Sequence, residues 1–83
     1  MEKVLITLVI PSLGEKYDVL LPVFLTVGEI IPLLTEALTD ITGKRYVTSG
    51  TEFLCSSERQ IIFNRTYTIE ACGIQNGDKL FLF

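Results

Sequence analysis

The chain has 83 residues and a mass of 9.3 kDa, enough for one hydrophobic core and too few for two. Hydrophobic residues make up 48% and charged residues 20%, which excludes a disordered composition. The absence of histidine excludes mechanisms that use imidazole as a base or a metal ligand. A net charge of −3 argues against a nucleic-acid partner, because such surfaces are normally basic. We expect one domain, residues 1–83, without enzymatic activity.

No segment has the pattern of a targeting signal or a membrane span. The apolar run at residues 4–10 is followed by a turn sequence rather than by a small-residue cleavage site. A second apolar run, residues 19–25, is interrupted by Pro22 and is far shorter than the ~20 residues that cross a bilayer. We therefore expect a cytoplasmic protein that does not insert into a membrane.

The two cysteines, Cys55 and Cys72, do not form a recognisable metal motif. Without histidine, two thiols cannot complete a tetrahedral zinc site, and they are too few for an iron–sulfur cluster. The sequence also contains neither GxxxxGK[ST] nor GxGxxG, the glycine-rich runs that cradle phosphates. We expect both cysteines to be small buried hydrophobic residues. We expect no cofactor, no metal and no small-molecule substrate.

The first part of the chain predicts a β-hairpin. Residues 4–10 are rich in β-branched side chains and end at Pro11 and Gly14, and a second strand is predicted over residues 17–21. Alternate side chains of a strand point to opposite faces. The predicted inward set is Val4, Ile6, Leu8, Ile10, Tyr17, Val19 and Leu21.

A helix is predicted from Thr26 onwards. Thr26 and Glu29 have the spacing of a capping box, in which each side chain bonds the backbone N–H of the other residue. Gly43 supplies the stop, and Pro32 is expected to distort the helix without ending it. The apolar stripe of this helix is predicted to contain Val27, Ile30, Ile31, Leu34, Leu38 and Ile41.

Three further strands are predicted at residues 51–55, 61–63 and 79–83, with a compact loop over residues 66–76. The element order is then β-β-α-β-β-β. This order is typical of the β-grasp, an α+β fold in which a mixed sheet of about five strands curls around one helix. The first and last strands are expected to pair in parallel at the centre, since the helical crossover permits it.

Nearly the whole sequence resembles ubiquitin-like proteins. Residues 68–80 are similar to the run that precedes the last strand of ubiquitin, with Ile69 and Ile74 as its apolar anchors. Other features resemble the YukD/EsaB family of type VII (WXG100, ESX-like) secretion systems. They are Tyr17-Asp18-Val19, then Leu21-Pro22, Phe24-Leu25 and the helix, and Gly73-Ile74 followed by Gly77-Asp78 and Leu80.

Two features depart from the family pattern. Pro32 lies where the family tends to carry a helix former, and the first hairpin is more apolar than we would expect of a relative. The resemblance implies a non-catalytic interaction module with an accessory, regulatory or assembly role in secretion. A related ubiquitin-like domain is fused to a membrane subunit of such systems, which implies docking near the membrane.

Conjugation is not expected, because the sequence ends at Phe83 without the Gly-Gly tail that ubiquitin and the sulfur carriers need. The alternative function is a β-grasp carrier, a sulfur carrier or modifier, whose Gly-Gly tail is lost or missing. A third interpretation is a structural domain cut from a larger protein.

The last strand supplies the candidate binding residues. Phe81 and Phe83 point outward if the leucines between them fill the core, and Leu5 and Val9 of the first strand share that outer face. An exposed aromatic patch commonly marks a contact site, and ubiquitin-like folds use this face for their partners. A shift of one residue would instead bury the phenylalanines. The sequence leaves open whether Phe53 joins this face. We expect the patch to bind a protein, either a secretion-system component or a second copy in a homodimer.

Overall fold

The structure is a computed structural model that describes residues 2–83. One helix and a five-stranded sheet follow one another in the predicted order. The elements are β1 (Lys3–Ile10), β2 (Glu15–Pro22), α1 (Val27–Ile41), β3 (Leu54–Ser56), β4 (Ile61–Ile62) and β5 (Lys79–Leu82).

The strands lie in the order β2-β1-β5-β3-β4. β1 pairs antiparallel with β2 and parallel with β5, and β3 is antiparallel to both β5 and β4. The inward side chains of the sheet and the apolar stripe of α1 form a single hydrophobic cluster. The predicted β-grasp, including the central parallel pair, is therefore confirmed. The most deeply buried side chains of β1 are those of Ile6, Leu8 and Ile10.

The predicted capping box is present at the start of α1. The Thr26 hydroxyl accepts the Glu29 N–H at 3.1 Å, and the Glu29 carboxylate accepts the Thr26 N–H at 3.0 Å. The helix continues through Pro32, whose carbonyl accepts the hydroxyl of Thr35 at 3.0 Å. Gly43 follows the helix at a φ of 61°, a left-handed conformation that suits glycine because it has no Cβ. The helix boundaries thus follow from the capping box at its start and from the glycine that follows its end.

Ile41 was wrongly assigned to the buried stripe, since it is 62% exposed. The core beneath the last turn is filled instead by Tyr46, which returns after the helix and donates its N–H to the Thr42 hydroxyl at 3.0 Å. The third strand is also shorter than expected, because residues 51–53 precede β3 without strand structure. Both differences arise where the segment after the helix folds back onto the core.

Replacing Thr26 by alanine removes the hydroxyl that accepts the Glu29 N–H and leaves this donor only the Thr26 backbone carbonyl at 3.0 Å. We expect Thr26→Ala to lower the free energy of unfolding by ~1 kcal/mol in chemical denaturation. Glu36→Ala is the matched control, because Glu36 is exposed on the same helix outside the capping box. Equal stability of Thr26→Ala and the wild type would show that the box does not stabilise the fold.

Candidate protein-interaction surface

The last strand directs its phenylalanines away from the core. Leu80 and Leu82 are buried, whereas Phe81 is half-buried and Phe83 is 53% exposed. The predicted alternation is therefore confirmed, and the alternative with buried phenylalanines is wrong. The face of the sheet opposite α1, called the outer face below, carries these aromatic rings.

Three aromatic rings form a stacked group on the outer face. Phe53 and Phe83 exchange backbone hydrogen bonds of 2.9 and 3.0 Å, which places the two residues directly opposite each other. Their ring centroids lie 5.7 Å apart, and those of Phe81 and Phe83 lie 6.2 Å apart. Both separations are within the range of favourable aromatic pairs. We call Phe53, Phe81 and Phe83 the phenylalanine cluster.

The pairing of strands decides which predicted residues join this cluster. Val9 lies beside Phe81 on β1, so it borders the cluster. Leu5 is exposed on the same face but lies opposite Leu20 of β2, four residues along β1 from Val9. The structure thus brings Val9, Phe81 and Phe83 together and leaves Leu5 in a separate apolar pair with Leu20.

Sequence reasoning missed Ile62 and left Phe53 undecided. Ile62 lies opposite Cys55 on the short strand β4 and is 66% exposed. Two residues are too few to show the alternation of a strand, so the sequence carried no signal for the face on which the Ile62 side chain lies. Beside β4, a shallow apolar groove of about 310 Å³ is lined by Ile61, Ile62, Phe63, Asn64, Tyr67, Ala71 and Cys72.

The two cysteines are free and only partly buried; Cys72 packs against the hydrophobic core as a small hydrophobic residue, whereas Cys55 does not lie in the core. Cys55 faces outward because it pairs directly with Phe81. Burial raises the pKa of the Cys55 thiol, and it raises that of Cys72 against an opposing effect of Arg59. A raised pKa disfavours the nucleophilic thiolate. Within residues 2–83, no group of three or more candidate ligands could hold a metal ion.

Phe53 is positioned by a buried carboxylate next to it in sequence. Glu52 is only 6% exposed; its carboxylate accepts the Tyr46 hydroxyl at 2.7 Å and the Ser49 N–H at 3.0 Å. Its backbone carbonyl accepts a hydrogen bond from Arg65 at 3.2 Å. These bonds tie the irregular segment before β3, which contains Phe53, to the core. They thereby fix the position of Phe53.

The environment of Glu52 favours its charged form. Burial opposes ionisation, but the nearby hydroxyls of Thr48 and Tyr46 and the backbone N–H groups of Glu52 and Ser49 outweigh it and lower the pKa of Glu52 to about 2. Burial and the same contact with Glu52 raise the pKa of the Tyr46 hydroxyl. At neutral pH the pair is therefore a carboxylate and a phenol, with the phenol as donor.

A sequence-family model described as "WXG100 protein secretion system (Wss), protein YukD" matches residues 4–82. The chain belongs to this family. The predicted relationship is thus confirmed over nearly its whole length, and the protein is a ubiquitin-like module of type VII secretion. Its sequence has no significant match among curated proteins.

Solved structures share the fold of this YukD-family protein at low sequence identity. The ubiquitin-like domain of EccD5 from Mycobacterium xenopi is 12% identical with a TM-score of 0.83, covering 100% of this chain and 94% of that one. The ubiquitin-like domain of the type VII secretion protein ECCD1 from Mycobacterium tuberculosis is 13% identical with a TM-score of 0.77, covering 99% and 98%. Ubiquitin from Caldiarchaeum subterraneum is 20% identical with a TM-score of 0.68, covering 98% and 91%.

A further similar structure is a chain of the ESX-5 inner membrane complex, at 16% identity and a TM-score of 0.73. The match covers 100% of this chain but 21% of that one, so the shared fold is a small part of the larger subunit. In the YukD-family protein itself, the single helix within residues 2–83 is too short to cross a bilayer.

Glu52→Gln removes the charge that the surrounding hydroxyl and N–H donors favour. Because the pKa of Glu52 is lowered by folding, the ionised group stabilises the protein above pH ~4.5, and this contribution disappears as the pH falls towards about 2. We expect Glu52→Gln to lower the free energy of unfolding of the YukD-family protein by ~1–2 kcal/mol at pH 7. The difference from the wild type should vanish near pH 2.

Denaturant unfolding across this pH range measures both effects. Glu58→Gln is the matched control, because Glu58 is exposed in the turn between β3 and β4. A deficit of Glu52→Gln that stays constant from pH 7 to about pH 2 would contradict the assignment, since that loss would then be independent of the charge.

Proposed function

We propose that this YukD-family protein is a non-catalytic, cytoplasmic accessory module that binds a protein of the secretion machinery through the phenylalanine cluster. The observation that carries this proposal is the stacked, outward-facing set of three rings. None of the three rings belongs to the hydrophobic core that the sheet forms with α1. Aromatic side chains that become buried in a complex supply much of the binding energy at protein interfaces.

The cluster has the properties of an anchor for a protein partner. Full burial of one phenylalanine is worth ~1.5–3 kcal/mol. The rings of Phe53, Phe81 and Phe83 already stack on one another in the free protein. Binding of a partner therefore costs little side-chain conformational entropy. Val9 and Cys55 flank Phe81 and continue the apolar surface on both sides.

The class of partner follows from the family and from its structural neighbours. ESX inner membrane and core complexes contain domains of this fold within larger subunits, where the match covers 21% and 16% of those chains. In this protein the same fold forms a domain that contains no membrane-spanning helix in residues 2–83. We therefore propose a partner at the cytoplasmic side of the secretion complex.

Phe81→Asp combined with Phe83→Asp tests the cluster, since two carboxylates on this surface would have to be desolvated on binding. We expect the double variant to abolish co-purification with secretion-complex subunits and to lower export of WXG100 proteins in a strain that carries the variant gene. The measurements are quantitative affinity capture and a secretion assay. Thermal unfolding establishes that the double variant is folded, because Phe81 is half-buried.

Phe24→Asp is the matched control. Phe24 is 52% exposed, almost the same as Phe83, but it lies in the turn between β2 and α1 rather than on the outer face. The control should keep both capture and export. Unchanged capture by a folded double variant would remove the cluster from the binding site, and loss in both variants would show a general effect of added charge.

A further inference from the structure

One edge of the sheet is long and uncovered. β2 ends the strand order, so within residues 2–83 no strand pairs with its far side. It has eight residues, whereas β4, at the opposite edge, has two. An uncovered edge strand presents unpaired N–H and C=O groups and is a template for another strand. The edge of β2 is therefore the part of the backbone best suited to pair with a second chain.

The alternation of hydrogen bonds identifies which residues present those groups. The Val23 N–H donates to the Glu2 carbonyl at 3.2 Å, so odd-numbered residues of this antiparallel pair face β1. The even-numbered residues Lys16, Asp18 and Leu20 face away from β1. Pro22 has the same parity, and its missing N–H therefore removes no bond within the sheet.

Lys16 and Asp18 carry opposite charges, and the Asp18 carboxylate accepts only a long hydrogen bond of 3.4 Å from the Thr7 hydroxyl among the described side chains. Both side chains are exposed on the outer face, and no salt bridge in the described part of the chain involves either of them. Two opposite charges separated by one residue on an edge strand are self-complementary. When two such strands run antiparallel about an axis at Tyr17, each lysine lies opposite the aspartate of the other strand.

We propose that two copies of this protein associate by antiparallel pairing of their β2 edges, with Lys16 of each copy opposite Asp18 of the other. Both members of each pair present outward N–H and C=O groups, so each pair exchanges two backbone hydrogen bonds. Cross-strand pairs of opposite charge stabilise a sheet, and like charges directly opposite destabilise it. Charge complementarity therefore selects a second copy in one register.

The neighbouring registers are unfavourable. In every register, even-numbered residues must lie opposite even-numbered residues, because these present the outward N–H and C=O groups. The symmetry axis can therefore move by one residue at a time, from Tyr17 to Asp18 or Lys16. An axis at Asp18 places two aspartates opposite each other, and an axis at Lys16 places two lysines opposite each other. Only the axis at Tyr17 brings the opposite charges together. The register is thus specified by two side chains.

The proposed pairing joins two five-stranded sheets edge to edge. Residues directly opposite one another share a face of the sheet, so both outer faces lie on the same side of the dimer. The two phenylalanine clusters would then be separated by about 25 Å, since neighbouring strands lie ~4.8 Å apart. Edge pairing alone buries less than the ~1,200 Å² typical of stable complexes, so the dimer is expected to be weak and concentration-dependent.

Charge reversal and its compensation test the register. In the proposed register, Lys16→Asp places an aspartate opposite Asp18 of the other copy. Asp18→Lys likewise places a lysine opposite Lys16 of the other copy. Each single variant is expected to raise the dimer dissociation constant about tenfold. The combined variant Lys16→Asp with Asp18→Lys restores opposite charges across the axis and should return the constant to within about threefold of the wild type. Sedimentation equilibrium from about 10 µM to about 1 mM measures all four proteins.

Lys79→Asp is the matched control, because it makes the same change of charge on the outer face but lies on β5, inside the sheet. It should leave the dissociation constant unchanged. A wild-type protein that stays monomeric at about 1 mM would overturn the proposal. So would a dimer that is insensitive to both single reversals, or one in which the combined variant is no tighter than the single variants.

Oxidative cross-linking tests the axis independently. In a background with Cys55→Ser and Cys72→Ala, Tyr17→Cys places a thiol opposite the same thiol of the second copy and should give an intermolecular disulfide. Val19→Cys should not, because in this register position 19 faces Glu15 of the second copy. Preferential cross-linking at position 19 would exclude the proposed register. Cross-linking of neither protein would count against edge pairing.

Discussion

The parallel pairing of β1 with β5 determines most of the remaining structure. It sets Leu8 beside Leu80 in the core and Val9 beside Phe81 on the outer face. Its register is held where the chain enters β5, because the Leu5 N–H donates to the Asn76 side chain at 2.7 Å and the Gly77 N–H donates to the Leu5 carbonyl at 2.8 Å. A slip of one residue would exchange the two faces of β5.

Polar groups in the loops hold the strands that flank this central pair. Arg59 donates to the carbonyls of Cys72 and Gly73 and pairs with the carboxylate of Asp78 at 3.0 Å, which joins the turn after β3 to the segment before β5. Glu52 has the same effect before β3. Because β3 and β4 are short, they have few ladder hydrogen bonds, and these side-chain bonds to the backbone supply further links to the rest of the fold.

The two surfaces proposed to make contacts are chemically different and lie on different parts of the sheet. The phenylalanine cluster lies on β5 and on the residues next to β3 and β5 and is apolar, whereas the β2 edge presents backbone groups between two opposite charges. Because β1 separates them, a protein bound to the cluster need not block the edge. Two clusters on one side of a dimer would bind a partner with repeated sites more tightly than either cluster alone.

The sequence by itself determined the features that depend on local periodicity. The hairpin and the orientation of Phe81 and Phe83 followed from alternation, and the start of the helix followed from Thr26 and Glu29. These predictions succeeded because each depends on residues within one element. The family resemblance was carried by core and turn residues for the same reason, and it identified the fold before any packing was known.

Only the tertiary structure decided which residues of separate elements meet. The strands β3 and β4 contain too few residues to show a period. The outward position of Ile62 therefore depended on the pairing of β4 with β3, and that of Phe53, which precedes β3, on its backbone bonds to Phe83. The exposure of Ile41 and the burial of Glu52 depended on where Tyr46 returns to the core. The free edge of β2 likewise follows from strand order, which is a property of the whole sheet and is absent from the local pattern of any strand.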